Sequence, residues 1–120
     1  KNGAFFLPTV ITGLDYKSRC GTEEIFGPVV TLHKFKNDDE VIKMSNCLNY
    51  GLAGSLFCNN IKRAINIATR IETGRISIND WPLSDHRMPF GGVKGSGVYR
   101  EGGRWSRDFF TEPKHISIKL

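Results

Sequence analysis

Two adjacent carboxylates, Glu23 and Glu24, run straight into Ile25-Phe26-Gly27-Pro28. A carboxylate can accept paired hydrogen bonds from sugar hydroxyls, and a phenyl ring can pack on a planar group. The Gly-Pro pair stops any regular element and holds both groups beside a rigid turn. Most adjacent carboxylates are a solvated charge pair, and spacing alone does not separate the two readings. A second candidate, Gly95-Ser96-Gly97-Val98-Tyr99-Arg100, is one residue short of the nucleotide-binding pattern G-x-G-x-x-G. Its third glycine is replaced by Arg100 and no strand immediately precedes it, so it reads as a flexible Gly-rich turn. Lys94-Gly95-Ser96 likewise lacks the order of a phosphate loop.

Nucleophiles and metal ligands are poorly supported. Cys20, Cys47 and Cys58 lie 27 and 11 residues apart, with no C-x-x-C pair, and an odd count argues against a disulfide framework. His33, His86 and His115 are too scattered for a zinc cluster. A reactive thiol needs a helix N-terminus or a cationic neighbour. Cys47 falls near a helix end, where the dipole disfavours a thiolate; Cys58 closes a strand and reads as packing; Cys20, beside Arg19, is the one mildly activated thiol. None is assigned a catalytic role. The cysteine usage and the lack of an N-x-[ST] site point to a reducing, cytoplasmic setting.

The elements that must position these groups alternate. Ala4 to Ile11 suits an edge strand because Pro8 lies within it. Val29 to Phe35 reads as a strand, and Asn37 with Glu40 forms a capping box for a helix through about Cys47. A short strand, Gly54 to Cys58, precedes a helix capped by Asn60, with Ile61, Ala64, Ile65, Ala68 and Ile71 at helical spacing and Gly74 as its stop. Arg75 to Asn79 returns as a strand. Strand-helix-strand alternation predicts an α/β fold with parallel pairing. Asp80 to Gly103 has neither period, and so long a loop points to function. A short helix is expected between about Arg100 and Phe110. His115 to Leu120 alternates, with Ile116, Ile118 and Leu120 on one face, as a terminal strand would.

The chain has 120 residues, 39% hydrophobic and 24% charged, which excludes a disordered chain, a collagen and a coiled coil. That length allows one domain with its own core, or pieces of two. It opens on Lys1 in what reads as mid-structure, so a fragment is expected. No apolar run is long enough to span a membrane. Seventeen basic against twelve acidic residues give a net charge of +5. A basic nucleic-acid-binding module would need clustered Lys/Arg with exposed aromatics, and no basic block here reaches five.

Four segments stand in one order: Ala4-Phe5-Phe6-Leu7-Pro8-Thr9-Val10, Glu23 to Pro28, Asn49-Tyr50-Gly51-Leu52-Ala53, and Pro89 to Gly97. Together they resemble the C-terminal quarter of the NAD(P)-dependent aldehyde dehydrogenases, from about Gly3 to Leu120. The ending, Arg100-Glu101-Gly102-Gly103 and Phe109 to Lys114, is similar to the branch acting on 2-aminomuconic or 2-hydroxymuconic semialdehyde. The resemblance implies the C-terminal part of a catalytic domain with a mostly parallel, Rossmann-like sheet (1–95), a Gly-rich loop with a connecting helix (96–110) and an oligomerisation strand (111–120). It implies cofactor-binding roles for Glu24, Phe26 and Leu52: Glu24 for the nicotinamide ribose hydroxyls, Phe26 beside the nicotinamide, Leu52 near the same end. It implies that Phe90 lines the substrate tunnel and that residues 80–88 shape substrate choice, with Trp81 as a wall and Arg87 as a candidate for a substrate carboxylate.

Two departures from the family pattern stand out. Ser84 replaces an arginine usual in the muconic branch, and Tyr99 stands where glycine is common. The family's nucleophilic cysteine, general-base glutamate, oxyanion asparagine and Gly-rich cofactor loop match nothing in this segment, which therefore carries no catalytic residue. The implied cofactor is NAD, with NADP the alternative; the implied partners are an aldehyde and further copies of the subunit in a dimer or tetramer, with no nucleic acid or membrane. A catalytically inactive truncated or structural paralogue is the competing reading.

Overall fold

The computed structural model describes residues 3–81 and 85–120. Two parallel strand pairs carry the architecture. β1 (Thr9–Thr12) pairs with β2 (Val29–Leu32), Thr9 opposite Val29. β4 (Ala53–Leu56) pairs with β5 (Arg75–Ile78), Ala53 opposite Arg75. Parallel strands need a crossover. Between β4 and β5 it is α3 (Ile61–Arg70); between β1 and β2 the chain passes through the single turn α1 (Arg19–Thr22). β1 begins directly after Pro8, whose missing N–H cannot enter a ladder, and residues 4–8 are exposed.

The two longer helices start where their caps dictate. Asn37 Oδ1 accepts the Glu40 N–H (2.9 Å) at the head of α2 (Asp38–Asn46), and the Glu40 carboxylate reaches back to the Lys36 N–H (2.6 Å). Asp38, Asp39 and Glu40 fill the first turn, where negative charge favours the helix dipole. Asn60 Oδ1 accepts the Arg63 N–H (3.1 Å) and starts α3. The helices are joined by Asp38–Arg63 and Asp39–Arg70 ion pairs, each closing to 2.5 Å. The Arg63 guanidinium holds the Asp38 carboxyl below the usual carboxylate range.

Several expectations are corrected. The sheet is not continuous: among the described residues there are three two-stranded sheets. The third is antiparallel and joins β3 (Tyr50–Gly51) to β6 (Val93–Lys94), of which β6 alone lies in the Asp80–Gly103 segment expected to be loop. The apolar stripe of α3 is rotated: Ala64 and Ile67 are buried, whereas Ile61 and Ile65 are more than half exposed. Gly74 does not stop α3, which ends at Arg70 with Ile71 already extended. It is needed for space, because a methyl there would strike the Gly91 carbonyl. The last helix, α4, spans Gly103–Phe110. Tyr99 replaces glycine without a left-handed backbone, and its ring packs on Phe109 at 5.1 Å.

Among the described residues a self-contained core is absent. Ile42, Ala64 and Ile67 are the buried hydrophobic residues among those described. The accessible surface is 10325 Å², against about 6,500 Å² for a compact monomer of this mass. The radius of gyration is 19.7 Å, against roughly 13.5 Å for a compact domain. Apolar faces that should be covered, such as Val10, Val30 and Leu32 on β1 and β2, stand open. Residues 111–120 are exposed throughout and pair with nothing in the described chain, so the tail does not fold back onto its own sheet.

Candidate functional site

The turn after α1 separates the two carboxylates chemically. Glu23 is taken: both its oxygens accept from Arg19 Nε, at 3.0 and 2.9 Å. Among the described residues nothing donates to the Glu24 carboxylate. Beyond it, Gly27 N–H donates to Ile25 C=O (2.9 Å) and Val29 N–H to Gly27 C=O (2.8 Å). These tight turns carry the chain from Glu24 into β2. Phe26 projects from the same turn, 96% exposed.

Glu24 and Leu52 line one cleft of about 510 Å³, together with Gly51, Thr73, Ile76 and Ser96. Leu52 lies between β3 and β4, so both ladders fix it. Ser96, read from the sequence only as part of a flexible Gly-rich turn, accepts the Gly51 N–H at its Oγ (3.0 Å) and lines the cleft. Phe26 does not line it. The site therefore offers a free carboxylate, an aliphatic wall and a hydroxyl around open space, and an exposed ring nearby. That set suits a sugar bearing vicinal hydroxyls and a flat ring.

Phe90 belongs to a second cleft, of about 430 Å³, with Asp85, Met88, Glu101 and Ser106. It is fixed by a reciprocal backbone pair with Glu101, 2.8 Å in both directions. The start of α4 is pressed against this loop: Gly103 N–H donates to His86 C=O (2.8 Å), and Gly102 and Gly103 both take positive φ. Trp81 is 78% exposed and lines neither cleft. Arg87 is held by Asp85 through Nε (3.0 and 3.2 Å) and Nη2 (2.7 Å). That side-chain bond, helped by the Arg87 N–H, keeps the Asp85 carboxyl below its usual range and the arginine raised. Ser84 lies outside the described residues. Among the described residues no His/Cys/Asp/Glu group could hold a metal, and no helix is long and apolar enough to cross a membrane.

The sequence profile of the aldehyde dehydrogenase family matches residues 1–116. The chain belongs to the aldehyde dehydrogenase family. Among curated aldehyde dehydrogenase relatives, it is 45% identical over 117 residues to 2-aminomuconic semialdehyde dehydrogenase of Mus musculus. It is 46% identical over 118 residues to 2-hydroxymuconic semialdehyde dehydrogenase of Pseudomonas putida. Each alignment covers 98% of this chain and 24% of the relative, so the chain spans about a quarter of their length. The crystal structure of betaine aldehyde dehydrogenase from Staphylococcus aureus in complex with NAD+ matches with a TM-score of 0.87 and 41% identity. That match covers 95% of this chain and 23% of the other. The family expected from the four motifs is the family found. The open apolar faces of this aldehyde dehydrogenase chain thus go with a length of about a quarter of its relatives'.

Proposed function

We propose that this chain is the C-terminal part of the catalytic domain of an enzyme that oxidises an aldehyde to a carboxylic acid with NAD or NADP. The observation that carries this reading is the unpartnered Glu24 carboxylate on the cleft that Leu52 also lines. Glu24 accepts the two hydroxyls of the nicotinamide ribose, Leu52 gives the ring an aliphatic wall, and Phe26 packs beside it. The bound nicotinamide supplies the hydride acceptor. Holding it matters because a displacement of about 1 Å can cost roughly 10²-fold in rate. Residues 1–95 complete the catalytic domain, 96–110 form the Gly-rich loop and connecting helix, and 111–120 are the oligomerisation strand. The nucleophile and general base belong to protein outside these residues, and the setting is cytoplasmic.

The second cleft supplies the substrate surface, with Phe90 as its apolar wall and Trp81 further out. The substrate class is a carboxylated semialdehyde of the muconic type, supported by the likeness to 2-aminomuconic and 2-hydroxymuconic semialdehyde dehydrogenases. Arg87 meets its carboxylate by exchanging Asp85 for it. The test assays the full-length protein with a muconic-type semialdehyde and a neutral aldehyde of equal length, with NAD and NADP separately. Formation of reduced nicotinamide is expected with the semialdehyde. None with any aldehyde would favour the inactive paralogue. Arg87→Ala is expected to raise KM for the carboxylated substrate about threefold to tenfold and spare the neutral one, because a charge-assisted hydrogen bond is lost in ground and transition states alike. Equal effects on both substrates would reduce Arg87 to a support of its loop.

Assembly has its own test. The tail's apolar side, Ile116, Ile118 and Leu120, is exposed in the lone chain and is covered by a partner subunit in this reading. Replacing Ile116 and Ile118 with Asp in the full-length protein is expected to give a folded monomer by light scattering. An oligomer that survives both charges would place assembly on other surfaces.

A further inference from the structure

We propose that Lys94 is a positioning residue whose ammonium locks the β3–β6 pairing and thereby sets where Leu52 and Ser96 stand in the cofactor cleft. The inference rests on the proposed cofactor role of that cleft and adds a residue to it. Lys94 has φ +54, in the left-handed region that side chains other than Asn, Asp and Gly rarely adopt. The other such residue among those described is Asn79, a type that tolerates it. A residue kept in so sparse a conformation is held there by its surroundings, and the surroundings of Lys94 are specific. Its Nζ lies 2.8 Å from Asn46 C=O, 3.1 Å from Leu48 C=O and 2.5 Å from Glu72 Oε2. Three acceptors match the three donors of an ammonium. The side chain is 24% exposed.

Those acceptors come from separate elements. Asn46 is the last residue of α2, and Leu48 lies two residues further on, where helix carbonyls lack partners and a cation complements the dipole. Glu72 lies just beyond α3. Asn46 ties the same two helix ends together, since its Nδ2 donates to Arg70 C=O and its Oδ1 accepts the Glu72 N–H, both at 2.8 Å. One ammonium thus gathers the ends of α2 and α3 onto β6. The β3–β6 ladder has only two residue pairs, Tyr50–Lys94 and Gly51–Val93. So short a ladder specifies its register weakly, and the side chain of Lys94 supplies the constraint. Gly95 N–H then reaches Asn49 C=O (2.8 Å), and Gly51 N–H reaches Ser96 Oγ (3.0 Å). Leu52, next along from Gly51, is placed as a result.

The experiment compares Lys94→Met and Glu24→Gln in the full-length enzyme, each normalised to folded protein and followed by single-turnover NADH formation beside NAD affinity. Lys94→Met is expected to slow hydride transfer about tenfold while NAD affinity changes far less. A lowered melting temperature with an unchanged rate per folded molecule overturns the positioning role and leaves Lys94 a structural tie. Should Glu24→Gln slow the step and Lys94→Met not, this inference alone falls. Should Glu24→Gln leave the rate unchanged, the cofactor reading of the cleft falls with it. If Lys94→Met does not fold, Glu72→Gln decides: it keeps both carbonyl bonds and is expected to slow the step by about twofold to threefold, and an unchanged rate overturns the proposal.

Discussion

Glu24→Gln in the full-length enzyme is expected to slow hydride transfer roughly 10- to 100-fold, with NAD affinity weakened by less than about tenfold. The substitution keeps the size of the side chain and one acceptor oxygen. It removes the charge that shortens and strengthens hydrogen bonds from hydroxyls, and it turns an amide NH₂ toward one of them. The rest of the cofactor is gripped outside this chain in the proposed reading, so binding survives while the ring loses its aim. Glu23→Gln is the comparison: Glu23 lines the same cleft, but both its oxygens already accept from Arg19, so its loss should change the rate far less. Stopped-flow measurement of NADH formation in a single turnover reads both. An unchanged rate in Glu24→Gln, or equal losses in the two variants, would remove Glu24 from the cofactor site.

Gly74→Ala should be still more damaging, through stability. Gly74 N–H donates to Gly51 C=O at 3.0 Å. Its α-carbon faces the Gly91–Gly92 backbone, where an added methyl would overlap the Gly91 carbonyl, with that carbonyl carbon 2.8 Å away and Gly92 Cα at 3.2 Å. Backbone cannot swing aside as a side chain can. The methyl must therefore part the strand leading to β6 from the start of β5, at a cost of about 3 kcal/mol or more. Gly54→Ala is the matched control, since its methyl would meet only Ile76 Cγ1 at an ordinary 3.9 Å. Chemical denaturation of the two full-length variants gives the comparison. Equal stability would refute the packing argument.

What the sequence made legible was local. Asn37 and Asn60 announced their helices because an N-cap acts within three residues, and the β4–α3–β5 unit followed from its periods. Gly74 was misread because a helix-stopping glycine and a close-approach glycine look alike until the neighbour is known, and that neighbour, Gly91, is 17 residues away. The Asn46–Glu72–Lys94 cluster was illegible for the same reason: its members are 22 to 48 residues apart, and each alone is an ordinary surface residue. β6 escaped notice since two residues show no period. In the candidate site, Glu24, Phe26, Leu52 and Phe90 were singled out through the family resemblance, because spacing alone gave Glu24 no advantage over Glu23. Their division into two clefts, and the capture of Arg87 by Asp85, required the fold.

The uncovered tail bears on solubility. The stretch His115-Ile116-Ser117-Ile118-Lys119-Leu120, with Ile116 73% and Ile118 78% exposed, is a short β-prone segment whose backbone is open to any passing strand. Left uncovered, such a segment is a template for indiscriminate aggregation. Lys114 and Lys119 flank and interrupt the greasy stretch, and like charges on two such tails repel at close approach, which is how gatekeeper residues slow this kind of self-association. Exchanging those lysines for neutral residues would turn this exposed stretch into a precipitation hazard at high expression.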